Sequence, residues 1–232
     1  MIIKVCGLRD AENIRAISQL DIDMMGFIFW PQSPRYVQMI SSRAGIIPDY
    51  SEERLKSCKK ISPESPAEIK KIKRVGVFVD DMPQNIITRV FNYNLDVVQL
   101  HGQESRIMIE NLRRTIDPDI RPGIQVIKAI SIEKEADFAA CQDYEGVVDG
   151  FLFDTKCPSV GGSGTQFNWS MLKAYQGQTP FLLSGGIGPD DADAIKAIQH
   201  PQFAGIDLNS RFETSPGVKD VEMIQKFISK LR

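Results

Sequence analysis

The sequence predicts an α/β protein, a single (β/α)8 TIM barrel, on two observations. Eight short apolar runs occur along the chain, of the kind that form buried parallel strands. Segments with helical periodicity separate them, for example 11–20, 83–93, 104–115, 190–198 and 218–231. Strand–helix alternation favours a parallel sheet, and eight units in a chain of this length favour a closed barrel over an open sheet. The eight runs are residues 2–6, 24–30, 75–79, 97–100, 126–130, 150–154, 181–184 and 206–208.

The whole chain, residues 1–232, is predicted to form one domain, because no repeat or linker divides it. The interval after the second strand is longer than a simple crossover needs. Residues 41–74 mix Ser, Pro, Lys and Glu. Within them, residues 50–66 are interpreted as an elaborated or mobile surface segment whose lysines form a solvated face.

Composition excludes several classes of function. A net charge of −2 gives no reason to expect nucleic acid or an anionic membrane as a partner. The first residues have no signal-peptide layout, and no apolar run approaches the length of a membrane span. The four cysteines form no Cys-x-x-Cys pair, and with two histidines a metal site is not expected. We therefore expect a cytoplasmic protein with reduced thiols; the cysteines are Cys6, Cys58, Cys141 and Cys157.

Two chemically reactive side chains fall at strand ends, where the active sites of such barrels lie. Cys6 ends the first strand and Asp154 ends the sixth. A thiolate can remove a proton from carbon, and a carboxylic acid can protonate a leaving oxygen. At neutral pH, however, free Cys is mostly thiol and free Asp is mostly carboxylate. The site must therefore shift both pKa values or use a small, correctly protonated fraction.

The alternation of side chains along the first strand places Lys4 on the same face as Cys6. If Cys6 points into the mouth of the barrel, Lys4 points into its interior, where a buried ammonium requires a partner. Closure of the barrel brings strand eight beside strand one. The sequence therefore predicts an ion pair between Lys4 and Asp207.

The loops after the last three strands suit anion binding, and those after the sixth and seventh are rich in glycine. Such barrels commonly bind phosphate at the loops after strands seven and eight, where backbone N–H groups are accessible. The predicted phosphate-binding residues are Gly185, Gly186, Asn209 and Ser210. The loop after Asp154 offers further donors and close backbone approach, although such a loop can also be merely flexible. The residues predicted to contact the substrate there are Gly161, Gly162, Ser163 and Gly164.

Three further candidate side chains follow the second, fourth and sixth strands. Arg35 follows two prolines that stiffen its loop, and its planar, permanently charged group suits a ligand carboxylate. His101, at the end of strand four, either supports the site by hydrogen bonding or is an imidazole satisfied within the fold, the latter being slightly preferred. Cys157 lies in the loop after Asp154, but its position makes it a poorer candidate for the reactive thiol than Cys6.

Together these residues and motifs resemble the phosphoribosylanthranilate isomerase family. The resemblance extends in order along nearly the whole chain. Two departures are Trp30, where the family more often has a smaller aromatic residue, and the extra length of residues 50–66. The matching stretches are residues 4–7, 26–29, 33–37, 75–79, 98–102, 154, 161–164, 167–169, 184–187, 205–210, 213 and 216–220.

The resemblance implies an Amadori rearrangement of N-(5-phosphoribosyl)anthranilate in tryptophan biosynthesis, without a metal or organic cofactor. It implies that Cys6 is the general base that removes the C2′ proton and Asp154 the acid that protonates the ribose ring oxygen. It also implies that Arg35 meets the anthranilate carboxylate and that the glycine loops and 209–210 hold the phosphate. The expected partner is this small phosphosugar–anthranilate substrate, and the expected state is a monomer or homodimer.

Two alternatives remain from the sequence. One is another phosphosugar barrel, such as the histidine-pathway isomerase with two carboxylates at the reacting positions, or indole-glycerol-phosphate synthase with lysine and glutamate. The presence of Cys6 argues against both. The other is a catalytically silent barrel that only binds a phosphate ligand, and the intact set of Cys6, Asp154 and Arg35 argues against it.

Overall fold

The computed structural model describes residues 1–37, 72–155 and 169–232. Eight parallel strands close into a barrel in which each strand pairs with the next and β8 pairs with β1. The predicted barrel is therefore confirmed. The strands are β1 Ile2–Val5, β2 Met24–Ile28, β3 Lys73–Phe78, β4 Val97–Leu100, β5 Gln125–Ile132, β6 Gly150–Thr155, β7 Phe181–Ser184 and β8 Phe203–Leu208.

An outer layer of helices covers the barrel in the described parts of the chain. Side-chain oxygens of Asp10, Ser105 and Asp220 accept backbone N–H groups at three helix starts and so satisfy donors that lack an intrahelical partner. The α-helices are α1 Ala11–Ile17, α2 Pro83–Tyr93, α3 Arg106–Ile116, α4 Ala192–Lys196 and α5 Val221–Leu231. Three 3₁₀-helices are Glu135–Asp143, Trp169–Ala174 and Ser210–Phe212.

The prediction of a helix from residue 218 is wrong at its start. Two short strands, β9 Glu213–Ser215 and β10 Val218–Lys219, pair antiparallel after β8. Gly217, with φ of 87°, forms the turn between them. Asp220 then caps α5, since its side chain accepts the N–H of Met223 at 2.9 Å. Periodicity alone did not separate the hairpin from the helix that follows it.

Side-chain alternation divides the barrel into two kinds of core. Outward residues pack against the helices, among them a group of aromatic rings that includes Phe151, Phe153 and Phe181. Inward residues form a separate apolar cluster, namely Met24, Val75, Val97, Ile127, Ala129, Leu152 and Leu182. Toward the carboxyl ends of the strands the inward positions become polar, with Lys4, Gln99, Ser184 and Asp207 all buried. The aliphatic cluster thus forms a floor below a polar mouth.

The elaborated segment predicted at residues 50–66 lies outside the described residues. Within the ranges that are described, no helix combines the length and apolar character needed to cross a membrane.

Candidate active site

A cavity at the carboxyl ends of the strands brings together most of the residues predicted from the sequence. Its wall includes residues from β1, β4, β6, β7 and β8 or the turns that follow them. The predicted residues that line it are Cys6, His101, Asp154, Gly185, Gly186, Asn209 and Ser210. The candidate base and the candidate acid, 148 positions apart in the chain, therefore share one cavity.

Cys6 follows the last residue of β1 and continues its alternation, so that its side chain points into the mouth of the barrel. Its backbone N–H donates to the carbonyl of Leu208 at 2.9 Å, which extends the pairing of β1 with β8. A Cβ at position 26 would lie 2.6 Å from Cys6 Sγ, so only the glycine found there leaves room for the thiol. Burial raises the pKa of Cys6, and the nearby Lys4 ammonium opposes that rise. The thiol is thus the main form in the free protein at neutral pH.

Lys4 lies one layer below Cys6 and forms the predicted ion pair. Lys4 Nζ donates to Asp207 Oδ1 at 2.9 Å, with both side chains buried. Ser184 Oγ donates to the other oxygen of Asp207 at 3.3 Å. Burial alone would lower the pKa of Lys4, but Asp207 and Cys6 outweigh it and raise the pKa, so Lys4 carries a charge beneath the thiol. The prediction made from strand alternation and barrel closure is confirmed.

Phe153 on β6 points outward into the core beneath the helices. The next residue, Asp154, therefore points inward, and its carboxylate lines the cavity above the apolar floor. His101, the residue after β4, lies beside it, with His101 Nε2 3.4 Å from Asp154 Oδ2. The two side chains are 32% and 27% exposed, so both are accessible from the cavity. His101 thus lies beside the carboxylate at the site, and both interpretations of its role stay predictions.

Arg35 lies beside the cavity and binds a carboxylate of the chain itself. Arg35 Nε lies 2.9 and 3.1 Å from the two oxygens of Glu213, and Arg35 Nη2 donates to Glu213 Oε2 at 2.6 Å. Its side chain covers Gly7, where an added Cβ would approach Arg35 Cδ to 2.6 Å and Asn209 Oδ1 to 2.7 Å. Arg35 therefore packs directly over the residue that follows Cys6.

The turns after β7 and β8 lie next to each other and line one side of the cavity. Gly185 and Gly186 both have positive φ, 87° and 67°, a conformation that gathers backbone N–H groups for an anion. Arg211 joins the two turns, since its Nη1 donates to the carbonyl of Gly186 at 2.7 Å. The side-chain oxygen of Asn209 already accepts from Lys219 Nζ at 2.8 Å, which leaves its backbone N–H and side-chain NH₂ as the groups it can offer.

Three polar residues of this region were given no role from the sequence, although they lie in stretches that carry the resemblance. Gln99 is an inward residue of β4 that lines the cavity, and its Oε1 is buried without a hydrogen-bond partner in the described structure. The same alternation that placed Lys4 would have located Gln99, two residues after the inward Val97. Glu213 and Lys219 had no local signal, because their importance depends on contacts with Arg35 and Asn209 in other parts of the chain.

The remaining predictions concern the loop after β6 and the other three cysteines. The loop residues Gly161, Gly162, Ser163 and Gly164 lie outside the described residues, as do Cys58 and Cys157. Cys141 is buried in the outer layer, and burial followed by the charge of Glu145 raises its pKa to about 12. A thiol in that environment is unreactive at neutral pH.

Comparisons with known proteins show similarity along the whole chain. A family model described as N-(5′-phosphoribosyl)anthranilate isomerase matches residues 3–230. The chain is 42% identical over 231 residues to the enzyme of that name from Parabacteroides distasonis, covering 100% of this chain and 93% of that protein. It is 44% identical over 232 residues to the enzyme from Phocaeicola vulgatus, covering 100% and 98%. A crystal structure of phosphoribosyl anthranilate isomerase with reduced 1-(o-carboxyphenylamino)-1-deoxyribulose 5-phosphate superposes with a TM-score of 0.71 at 27% identity, covering 100% and 98%.

Proposed function

The chain belongs to the N-(5′-phosphoribosyl)anthranilate isomerase family, and on that premise we propose how its residues carry the reaction. It is an isomerase of tryptophan biosynthesis that converts N-(5′-phosphoribosyl)anthranilate to 1-(2-carboxyphenylamino)-1-deoxyribulose 5-phosphate. Cys6 acts as the general base and Asp154 as the general acid. The observation that supports these roles is that both side chains line one cavity at the mouth of the barrel.

Asp154 acts first, in its protonated form. It donates a proton to the ribose ring oxygen as the bond from that oxygen to C1′ breaks, and the nitrogen lone pair forms the C1′=N iminium. His101 Nε2, 3.4 Å from Asp154 Oδ2, orients this carboxyl group. Because Asp154 remains partly exposed to the cavity, it can reach a bound sugar directly.

Cys6 acts on the iminium. The positive charge at nitrogen acidifies the C2′–H bond, and the thiolate takes this proton while the electron pair forms C1′=C2′ and neutralises the nitrogen. The resulting enaminol gives the ketone when its hydroxyl proton is lost and C1′ gains a proton. The raised pKa of Cys6, caused by burial, makes the thiolate a stronger base but a minor species. The charge of Lys4 beneath it favours the thiolate form.

The two anionic ends of the substrate match two sides of the site. The phosphate fits the turns with Gly185 and Gly186 on one side and 209–210 on the other, where positive φ angles and strand ends offer N–H donors. The anthranilate carboxylate fits Arg35, a permanently charged group next to Gly7. The sugar then lies between Cys6 and Asp154.

A turnover assay tests the function. Purified protein is mixed with phosphoribosylanthranilate, the loss of substrate fluorescence is followed, and the product is separated by chromatography from the anthranilate that spontaneous hydrolysis would release. We expect enzyme-dependent formation of the aminoketose. If folded protein forms none above the uncatalysed rate, the isomerase function is wrong.

A further inference from the structure

A cluster of three charged residues, of which only the lysine is fully buried, joins the loop after β2 to the hairpin after β8. It consists of Arg35, Glu213 and Lys219, and we call it the carboxylate-anchor cluster. The Glu213 carboxylate accepts hydrogen bonds from Arg35 on one side and from Lys219 Nζ, at 2.6 Å, on the other. The backbone N–H of Gly217 also donates to it at 3.1 Å. Arg35 and Glu213 are 178 positions apart in the chain, so this contact holds two distant loops together.

We propose that Glu213, held by Lys219, is a positioning residue that orients Arg35 toward the carboxylate of the substrate. This proposal rests on the assignment of Arg35 to the substrate carboxylate given above. It assigns no chemical step to Glu213, which acts through Arg35.

The division of hydrogen bonds on Arg35 supports this role. Glu213 takes Nε and Nη2, one edge of the guanidinium group. Within the described ranges, Nη1 has no hydrogen-bond partner, so its donors remain for an external carboxylate. A guanidinium group fixed along one edge loses less conformational freedom when a ligand binds to the rest of it. Hydrogen bonding to Glu213 also raises the pKa of Arg35.

The charges of the cluster favour an anionic ligand. Two cations and one carboxylate leave a net charge of about +1 beside the site. Lys219 is fully buried, and burial lowers its pKa, so the ammonium depends on Glu213 and on Asn209 for its stabilisation. Without the Glu213 carboxylate, both Arg35 and Lys219 lose their shared counter-charge.

Lys219 extends the cluster to the other end of the substrate. Its Nζ donates to Asn209 Oδ1 at 2.8 Å and lies 3.3 Å from the Asn209 carbonyl oxygen. Asn209 lines the cavity in the turn proposed to hold phosphate. The chain of contacts from Arg35 through Glu213 and Lys219 to Asn209 therefore fixes the separation between the two anion-binding groups.

The test compares two ligands that differ only in the carboxylate. One is reduced 1-(o-carboxyphenylamino)-1-deoxyribulose 5-phosphate, and the other is the same compound with an unsubstituted phenyl ring. Their Kd values are measured by titration calorimetry for the wild type, Arg35→Met, Glu213→Gln and the double variant. We expect Glu213→Gln to weaken binding of the carboxylated ligand roughly tenfold, as for loss of a charged hydrogen bond, with little change for the phenyl ligand. The double variant should bind the carboxylated ligand no more weakly than Arg35→Met alone.

The control is Arg113→Met, which breaks another Arg–carboxylate pair, with Asp149, beyond the opposite end of the barrel. It should leave both Kd values unchanged. If Glu213→Gln fails to fold by circular dichroism, Glu213→Asp replaces it. This variant keeps the charge at shorter reach, and it should show a smaller loss confined to the carboxylated ligand.

Each remaining outcome has a distinct meaning. Suppose that Arg35→Met weakens binding of the carboxylated ligand alone. If Glu213→Gln then leaves both Kd values unchanged, or weakens binding of both ligands equally, the positioning role is wrong. If Arg35→Met itself shows no selectivity, the assignment of Arg35 fails and the positioning role falls with it. The isomerase activity is measured separately and does not depend on either result.

Discussion

Two buried lysine–carboxylate pairs occupy different sides of the barrel wall. Lys4 and Asp207 lie inside the barrel, 2.9 Å apart, with side chains 0% and 5% exposed. Lys128 and Glu104 lie outside it, 3.3 Å apart, with side chains 3% and 2% exposed. By distance and burial alone the two pairs are nearly equivalent. Burial of a charged pair is therefore not enough to identify a reaction centre.

What distinguishes the pairs is their contacts. Lys128 donates to the Gly102 carbonyl at 2.8 Å, and Glu104 accepts the backbone N–H groups of Asp80 and Gly102. This pair holds the loops after β3 and β4. Burial lowers the pKa of Lys128, and its carboxylate partner does not fully compensate. The pKa of Lys4 is instead raised, because burial is outweighed by Asp207 and by Cys6. The Lys128–Glu104 pair therefore stabilises loops, whereas the Lys4–Asp207 pair interacts with the Cys6 thiol.

The largest effect should come from the two reactive groups of the cavity, Cys6 and Asp154, of which Cys6 adjoins the inner pair. We expect Cys6→Ser and Asp154→Asn each to lower kcat by about two to four orders of magnitude, the range for a general acid or base. Stopped-flow or steady-state fluorescence with phosphoribosylanthranilate measures this. Cys141→Ser is the matched control, a buried thiol in the outer layer that should leave kcat unchanged. Near-full activity in either site variant would remove that residue from the mechanism.

The outer pair should matter for stability instead. Lys128→Met leaves Glu104 buried without its cation, and we expect a loss of about 3–5 kcal/mol in the free energy of unfolding. Urea unfolding measures this loss, and kcat/KM measured well below the unfolding midpoint should stay close to the wild-type value. The double variant with Glu104→Gln should recover part of the stability, since no unpaired charge remains. A large loss of kcat in a folded Lys128→Met protein would contradict the separation of roles.

The sequence predicted the inner pair because two local rules combine there. Alternation along β1 turns Lys4 inward, and closure of the barrel brings Asp207 beside it, in register in the structure. Neither rule reaches the outer pair, because Lys128 points away from the barrel axis and Glu104 lies in a loop. The contact of Arg35 with Glu213 was likewise missed, since it depends on how two distant loops pack. The second strand of the hairpin was predicted as helix because Val218 lies three residues before Val221 and so continues the apolar period of α5.

The smallest expected effect is a shift in the pH dependence of kcat/KM, and it is also the sharpest test of the difference between the inner and outer pairs. Because burial raises the pKa of Cys6 and the thiolate is the active base, wild-type kcat/KM should rise with pH above neutrality. Lys4→Met/Asp207→Asn removes the ammonium without leaving an unpaired carboxylate. Lys4 lowers the pKa of Cys6 more than Asp207 raises it, so losing both charges raises this pKa, and the rise in kcat/KM should move by about one unit to higher pH. At neutral pH kcat/KM should then fall about tenfold, since the thiolate fraction falls by that factor.

The same profile for Lys128→Met/Glu104→Gln should coincide with that of the wild type, because that pair does not adjoin Cys6. A rise that moves equally in both double variants would mean that the shift reflects a general change in the fold. An unmoved rise in Lys4→Met/Asp207→Asn would mean that the buried ammonium does not act on the thiol. Only a shift confined to the inner pair agrees with a lysine whose contacts, rather than its burial, give it a part in the chemistry.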